Sequence, residues 1–366
     1  MNTLEKKYLF APGPVLTDKR VKEAALAPDI CHRRADFENI YAGLRQKLVR
    51  LYRGTKANYT TVVVSGSGTA SNETVLSSVL REGEKVLLIT NGEFGERLRK
   101  IVECYRLGIN LLAFEWGETP SLSQVEEQLR NDKDISLVSM VFHETSTGMI
   151  NPVHEVGVLA KKYGKLYHVD AISAIGGEDV NVLRDHIDFC TGVPNKSVGG
   201  LPGVSFICVR NEAYNKVKQV EPRRNIYLNL QHHMAEANRH NQTPNTPSVV
   251  MFITLDKALD VLFEEGQDMV IERYKECAGI IRKGVKDLGL NLLIENEQLM
   301  SNTVTSVFLP KQHSLSSFMD KLEERGYVVY LGKGKFLDMN MFQIANMGQI
   351  YPDDSKLFIK VLADVL

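Results

Sequence analysis

Lys196 lies in the run Cys190-Thr-Gly-Val-Pro-Asn-Lys-Ser-Val-Gly-Gly-Leu-Pro-Gly-Val-Ser-Phe206, enclosed by small residues, glycines and prolines between two apolar, strand-like stretches. An amine that must attack a carbonyl needs partial desolvation and a slim backbone around the bound group, whereas a surface lysine needs neither. An ordinary loop lysine is the alternative, and the preceding segment weighs against it. Lys165-Leu-Tyr-His-Val-Asp-Ala-Ile-Ser-Ala-Ile-Gly-Gly177 is an apolar run broken by Asp170 where a buried parallel strand should end. Open α/β sheets bind ligands just beyond such strand ends. A carboxylate placed there can hold the ring nitrogen of pyridoxal phosphate protonated, so that the ring accepts the electrons of a substrate carbanion. Its plainer role would be to cap the next segment.

A third element is Val62-Val-Val-Ser-Gly-Ser-Gly-Thr-Ala-Ser-Asn-Glu-Thr-Val-Leu76, a β-branched strand that turns through Gly66, Ser67, Gly68 and Thr69 into a helical pattern. Free backbone amides at a helix start bind phosphate, helped by the helix dipole and here by two hydroxyls. Ser71 replaces the third glycine of a dinucleotide fingerprint and no Gly-Lys-Ser/Thr follows, so neither a dinucleotide site nor a P-loop is indicated. A tight turn that needs glycine for geometry alone is the alternative.

Together these segments resemble the class V branch of the fold-type I pyridoxal-phosphate enzymes over nearly the whole chain. The likeness is greatest to the 2-aminoethylphosphonate:pyruvate transaminases and next to the alanine:glyoxylate transaminases. It is carried by Phe10-Ala-Pro-Gly-Pro14, Gly66-Ser-Gly-Thr69, Asn91-Gly-Glu-Phe-Gly95, His143-Glu-Thr-Ser-Thr-Gly-Met149, Asp170, Asn195-Lys196, Gln242-Thr-Pro-Asn-Thr-Pro247 and Asn346-Met-Gly348, in that order. The resemblance implies that Lys196 is the lysine bonded to the cofactor and its proton shuttle, and that Asp170 holds the ring nitrogen. It places Phe94 on the ring face, Thr145 at the phenolic oxygen, and Ser67, Gly68, Thr69 and Asn195 at the phosphate. Thr243 and Thr246 match a loop that reaches the phosphate of a neighbouring subunit, which implies a homodimer with shared sites. Core packing for Phe94 and turn chemistry for the two threonines are the alternatives.

Transaminases of this group usually carry an arginine two residues before the Gly-Asn of a Phe-Arg-Ile-Gly-Asn pattern, where its fork grips the keto acid's carboxylate. Here the run is Met341-Phe-Gln-Ile-Ala-Asn-Met-Gly348, with Gln343 in the arginine's place. Two enzymatic readings follow: a transaminase of a small anionic amine, with another cation (Arg33, Arg34, Arg224 or Lys335) holding the acceptor, or a lyase that expels a β-substituent and needs no keto acid. A binding protein that keeps the fold without turnover is the third. Arg33, Arg34 and the backbone near Gly13 are further candidates for the substrate's anion.

To position these groups, strand-like runs at Thr61–Val64, Lys85–Ile89, Leu111–Phe114, Ser136–Val141, Leu166–Val169, Asp188–Cys190 and Val204–Val209 alternate with amphipathic stretches such as Ser71–Arg81, Glu96–Leu107, Ser121–Asn131 and Pro152–Tyr163. That alternation predicts an α/β fold with a mostly parallel seven-stranded sheet flanked by helices. A long helical pattern from Val249 to about Gly289, strand-like Thr303–Leu309 and Val328–Leu331, and helical Ser314–Arg325 and Asp353–Val365 predict a smaller α+β domain. The large domain is expected over 16–250 and the small one over 251–366, with 1–15 packed on it.

A chain of 366 residues with 43% hydrophobic content can bury such cores, and a net charge of −1 leaves no basic excess for nucleic acid. No apolar run approaches a membrane span of ~18 residues. The amino end lacks the apolar core of a secretory signal, so a cytoplasmic enzyme is expected. The five cysteines, without C-x-x-C spacing, read as buried thiols, and the 9 histidines show no metal-ligand pairing.

Overall fold

Runs of valine, isoleucine and leucine that are apolar on both faces need cover on both sides, and in this chain seven of them join into one sheet. A computed structural model describes residues 7–366; positions 1–6, the start of the amino-terminal segment assigned above to the small domain, lie outside the described residues. The sheet order is Tyr59–Ser65, Val204–Arg210, Phe189–Gly192, Leu166–Asp170, Ile135–Val141, Lys85–Thr90, Gly108–Ala113. Val204–Arg210 runs antiparallel to both its neighbours and the remaining pairs are parallel. This is the expected mostly parallel, seven-stranded sheet, flanked by helices.

Val62, Val63 and Val64 are fully buried, each contributing about 1.5–3 kcal/mol by leaving water. Gly108–Ala113 starts three residues before the expected Leu111. It is an edge strand with a half-exposed pattern, so its first residues carry no continuous apolar signal. The expected helical pattern from Val249 is two helices, Val249–Glu265 and Gln267–Asp287. Gly266 separates them at φ +93°, a conformation that side chains with a Cβ resist.

A four-stranded antiparallel sheet in the order Asn291–Leu292, Val304–Phe308, Met341–Ala345, Tyr330–Leu331 packs with the helices Leu315–Glu324 and Pro352–Val365. Phe252, Leu255, Leu259, Val270 and Tyr274 belong to the larger apolar core, and Cys277, Ile281 and Val285 to the smaller one, so Gln267–Asp287 serves both. Tyr8–Leu9 adds a parallel pairing to Tyr327–Val328, and Phe10 stacks on Phe358 with ring centroids 4.3 Å apart. Cys190, Cys208 and Cys277 are buried, but Cys31 and Cys104 are exposed free thiols, contrary to the reading of all five as buried. Among the described residues no helix is long and apolar enough to cross a membrane and no histidine, cysteine and carboxylate cluster is arranged for a metal.

Candidate active site

Six strands of the large sheet run in one direction, and the carboxyl ends of five of them deliver the following turns to one edge. From Tyr59–Ser65 comes the Gly66–Thr69 turn, from Lys85–Thr90 the segment bearing Phe94, and from Ile135–Val141 the segment bearing Thr145. Leu166–Asp170 ends on Asp170, and Phe189–Gly192 leads to Lys196. Two adjoining cavities of about 410 and 260 Å³ open there and share Phe94, Arg97 and Lys196. Gly13 sits against the lysine at φ +118°, where a Cβ would stand 3.2 Å from Lys196 Cγ and 3.1 Å from the Asn195 carbonyl oxygen. The small residues around Lys196 therefore let backbone close on its side chain.

Lys196 and Asp170 face the larger cavity together. Lys196 Nζ donates to Ser173 Oγ at 2.6 Å, and burial pushes its ammonium down to about 8, with the Asp170 charge opposing that shift. The Asp170 carboxylate accepts from Asn72 Nδ2 at 2.6 Å and from the Ile172 amide at 2.9 Å. Thr191 Oγ1 donates to Asn72 Oδ1 at 2.6 Å, which fixes the Asn72 amide with its N–H toward the acid. Burial raises the Asp170 pKa while these two donors pull the other way. The Ile172 bond is the helix-cap type of contact named above as the plainer role, and Asp170 makes it while facing the cavity.

The Gly68–Val79 helix begins at the larger cavity, and Ser67 at its N-cap makes no side-chain bond to it, leaving the hydroxyl and the first-turn amides toward the cavity. Gly68 has no room for a side chain: a Cβ would lie 2.6 Å from Ile172 Cδ1. Phe94 and Val193 line this cavity together with the Gly66–Thr69 turn and the Asp170 acid. A half-buried amine, a buried acid, an aromatic wall and a helix start in one cavity suit a phosphorylated pyridine aldehyde. Ser67, Gly68, Thr69 and Asn195 all line this cavity.

Thr145 and Gln343 line the smaller cavity with Gly13. Thr145 Oγ1 is hydrogen-bonded to Ser173 Oγ, the same oxygen that accepts from Lys196. His143 Nδ1–H donates to the Ser173 carbonyl at 3.2 Å, and burial holds the ring neutral with a pKa of about 3. Thr243 is buried and bonded to the Asn245 carbonyl, Thr246 is exposed, and neither lines either of these two cavities. Arg33 is spent on Gln242 and on the carbonyls of Thr243 and Pro244, while Arg34 is exposed. Arg224 donates to the Ser77 and Leu80 carbonyls and Lys335 pairs with Glu115 at 2.6 Å. None of these four cations lines either cavity.

Two cations that sequence reading did not single out do line the smaller cavity, Arg97 and Lys333. Arg97 follows Phe94 by three positions on the helix Glu93–Cys104, so both project from one face. That spacing is a signal the sequence offers. Lys333 arrives from the small domain, and nothing local marks it. Asn72 and Ser173, one helical turn after Gly68 and three residues after Asp170, were likewise not anticipated.

The family model for class-V aminotransferases matches residues 20–346. The chain is 35% identical to an uncharacterized aminotransferase of Methanocaldococcus jannaschii, covering 94% of this chain and 88% of that one. It is 34% identical to the 2-aminoethylphosphonate–pyruvate transaminase of Salmonella schwarzengrund, over 96% of this chain and 95% of the other. The fold superposes on the alanine–glyoxylate aminotransferase of Nostoc with a TM-score of 0.93 at 24% identity, covering 100% and 97% of the two chains. Enzymes of this family depend on pyridoxal phosphate. The sequence match over most of the length and the lysine, acid and phosphate turn gathered at one sheet edge agree: the chain belongs to the class-V aminotransferases.

Proposed function

We propose that the amino donor of this transaminase is a small primary amine bearing an acidic group, of the 2-aminoethylphosphonate type, and that a keto acid is the acceptor. The observation that carries this is the opening of Lys196 onto both cavities, one lined by a phosphate-type turn and Asp170, the other by Gln343 and free cations. The relatives named for 2-aminoethylphosphonate support the donor class.

When bound, pyridoxal phosphate supplies an aldehyde for the amine and a ring that draws electrons from its Cα. The residues of the chain do the rest. Ser67, Thr69 and the amides at the start of Gly68–Val79 hold the phosphate, Asp170 keeps a proton on the ring nitrogen, and Phe94 covers the ring and keeps water off it. Lys196, with a pKa of about 8, is neutral in about a tenth of molecules at pH 7. That population suffices for nucleophilic attack, and the freed amine then carries the Cα proton. Ser173 Oγ, held by Thr145, orients Nζ.

The same reading makes the enzyme a homodimer, with Thr243 and Thr246 of one copy serving the phosphate of the other. Their absence from the two active-site cavities of their own chain and the clamp of Arg33 on that loop are consistent with it. The test is the half-reaction. Aminoethylphosphonate alone should bleach the near-visible band of the holoenzyme, and pyruvate or another keto acid should restore it. Steady release of ammonia without any keto acid would mean elimination instead, and no response to any acidic amine would overturn the substrate class.

A further inference from the structure

Gln343 has nothing left to offer an anion. Its two amide N–H groups are used on the Thr145 carbonyl at 2.6 Å and on Ser306 Oγ at 3.0 Å, and the atom left without a partner is Oε1, an acceptor. An acidic group in the smaller cavity must therefore be held elsewhere.

Among the described residues, two cations in that cavity make no side-chain hydrogen bond. Among the described residues the Lys333 ammonium makes no hydrogen bond or ion pair. The nearest carboxylate to the Arg97 guanidinium is Glu93 at 4.0 Å, beyond hydrogen-bond reach. Arg97 Cζ lies 4.6 Å, Lys333 Nζ 4.7 Å and Lys196 Nζ 5.2 Å from the Phe94 ring centroid. Three positive groups around one ring repel each other, and burial, joined by the Arg97 charge, depresses the Lys333 pKa. Of the carboxylates nearby, Glu144 is occupied by the amides of Phe94, Gly95 and Ser146, and Asp170 faces the other cavity. The loop that presents Lys333 is pinned on both sides. A Cβ on Gly332 would stand 2.7 Å from the Met341 carbonyl oxygen, and one on Gly334 would stand 2.8 Å from the Trp116 ring.

We propose that Arg97 and Lys333 together seat the acidic group of the amino substrate, taking over the duty that Gln343 cannot perform. This rests on the transaminase reading above and assigns the anion contact within it. A phosphonate, with three oxygens and up to two charges, matches a planar fork plus a point cation better than a single carboxylate does.

The test uses holoenzyme, whose cofactor fills the other phosphate-type site, and methylphosphonate, an anion without an amine, titrated by calorimetry. Lys333→Met and Arg97→Gln should each weaken methylphosphonate binding about tenfold or more, the scale of one charge-assisted contact. The ratio of kcat/KM for 2-aminoethylphosphonate over n-propylamine should fall by a similar factor. Lys335→Met, whose ammonium is paired with Glu115 outside the cavity, is the control and should change neither quantity. Wild-type holoenzyme that ignores methylphosphonate, or variants with unaltered affinity and unaltered ratio, would overturn the seat. If methylphosphonate binding falls in the variants but neither amine bleaches the wild-type enzyme, the anion seat stands and the reaction assigned above fails.

Discussion

Gln343 donates to the carbonyl oxygen of Thr145 at 2.6 Å, so a strand of the small domain is tied directly to the active-site segment that follows Ile135–Val141. Both residues are buried, so the bond satisfies a backbone carbonyl that is largely withdrawn from solvent. Gln343→Leu keeps much of the volume and removes both donors, leaving the Thr145 carbonyl and Ser306 Oγ short of a partner. The expected loss is about 1–3 kcal/mol, read as a lower urea midpoint with an unchanged slope. A midpoint equal to wild type would show that this contact does not join the two domains.

Asp170→Asn should separate function from stability. Burial raises the Asp170 pKa, so the folded chain holds its proton more tightly than the unfolded chain. For a raised carboxylate pKa, stability falls as pH climbs from the unfolded value of 3.8 through the folded one, and at neutral pH the full penalty is present. The neutral amide escapes it, but its one acceptor oxygen can keep only the bond from the Ile172 amide, and the bond that Asn72 Nδ2 gives to the other carboxylate oxygen is lost. The melting temperature of Asp170→Asn apoprotein should therefore fall less than that of wild type as pH climbs from 3.8 to neutrality, whereas turnover should fall by about two orders of magnitude or more because the ring nitrogen loses its counter-charge. A variant that loses stability with rising pH as steeply as wild type would contradict the assignment of Asp170 as a strained, functional acid.

What the sequence displayed and what it concealed divide by distance along the chain. Asp170, the Gly66–Thr69 turn and the Lys196 loop were legible because each follows its own buried strand by a few residues, and strand ends of a parallel sheet share an edge. Lys333 and Lys335 stand two apart in a Gly-Lys-Gly-Lys run; only the packing of this loop against Met341 of its own domain and Trp116 of the large one turns one into the cavity and leaves the other on Glu115. Arg33 was attractive as an anion hook because its charge was visible, while its three bonds to the 242–244 loop were not. The break at Gly266 was hidden for a related reason. The apolar periodicity continues through it, and only the positive φ shows that one helix ends there.

Gly92→Ala tests how Phe94 is aimed. Gly92 lies at the start of the Glu93–Cys104 helix, and a Cβ there would stand 2.3 Å from Glu144 Cγ and 2.7 Å from Ser146 Oγ. Glu144 accepts from the amides of Phe94 and Gly95, so pushing it aside also uncaps the helix. The overpacking and lost cap should together destabilise by about 2–4 kcal/mol. Cofactor affinity should drop with the tilt of Phe94, measured by equilibrium dialysis at a temperature where the variant is folded. Wild-type affinity in a destabilised variant would show that Phe94 does not depend on this cap.

The Lys196 amine sets a pH dependence of defined sign. Its folded pKa of about 8 lies below the ordinary lysine value of 10.5, and burial is the main cause. The neutral amine is the attacking form, so uptake of pyridoxal phosphate by the apoprotein should speed up as pH rises through about 8 and level off above it. Between about 8 and 10.5 the unfolded chain binds more protons at this residue than the folded chain does, so Lys196 makes apoprotein stability rise across that window. Asp170→Asn removes the charge that holds the ammonium up and should move the uptake midpoint lower still. Stopped-flow absorbance at a series of pH values reads both midpoints. A wild-type midpoint near 10 would mean that the amine is solvated, and an unshifted midpoint in Asp170→Asn would mean that acid and amine do not sense one another across the cavity.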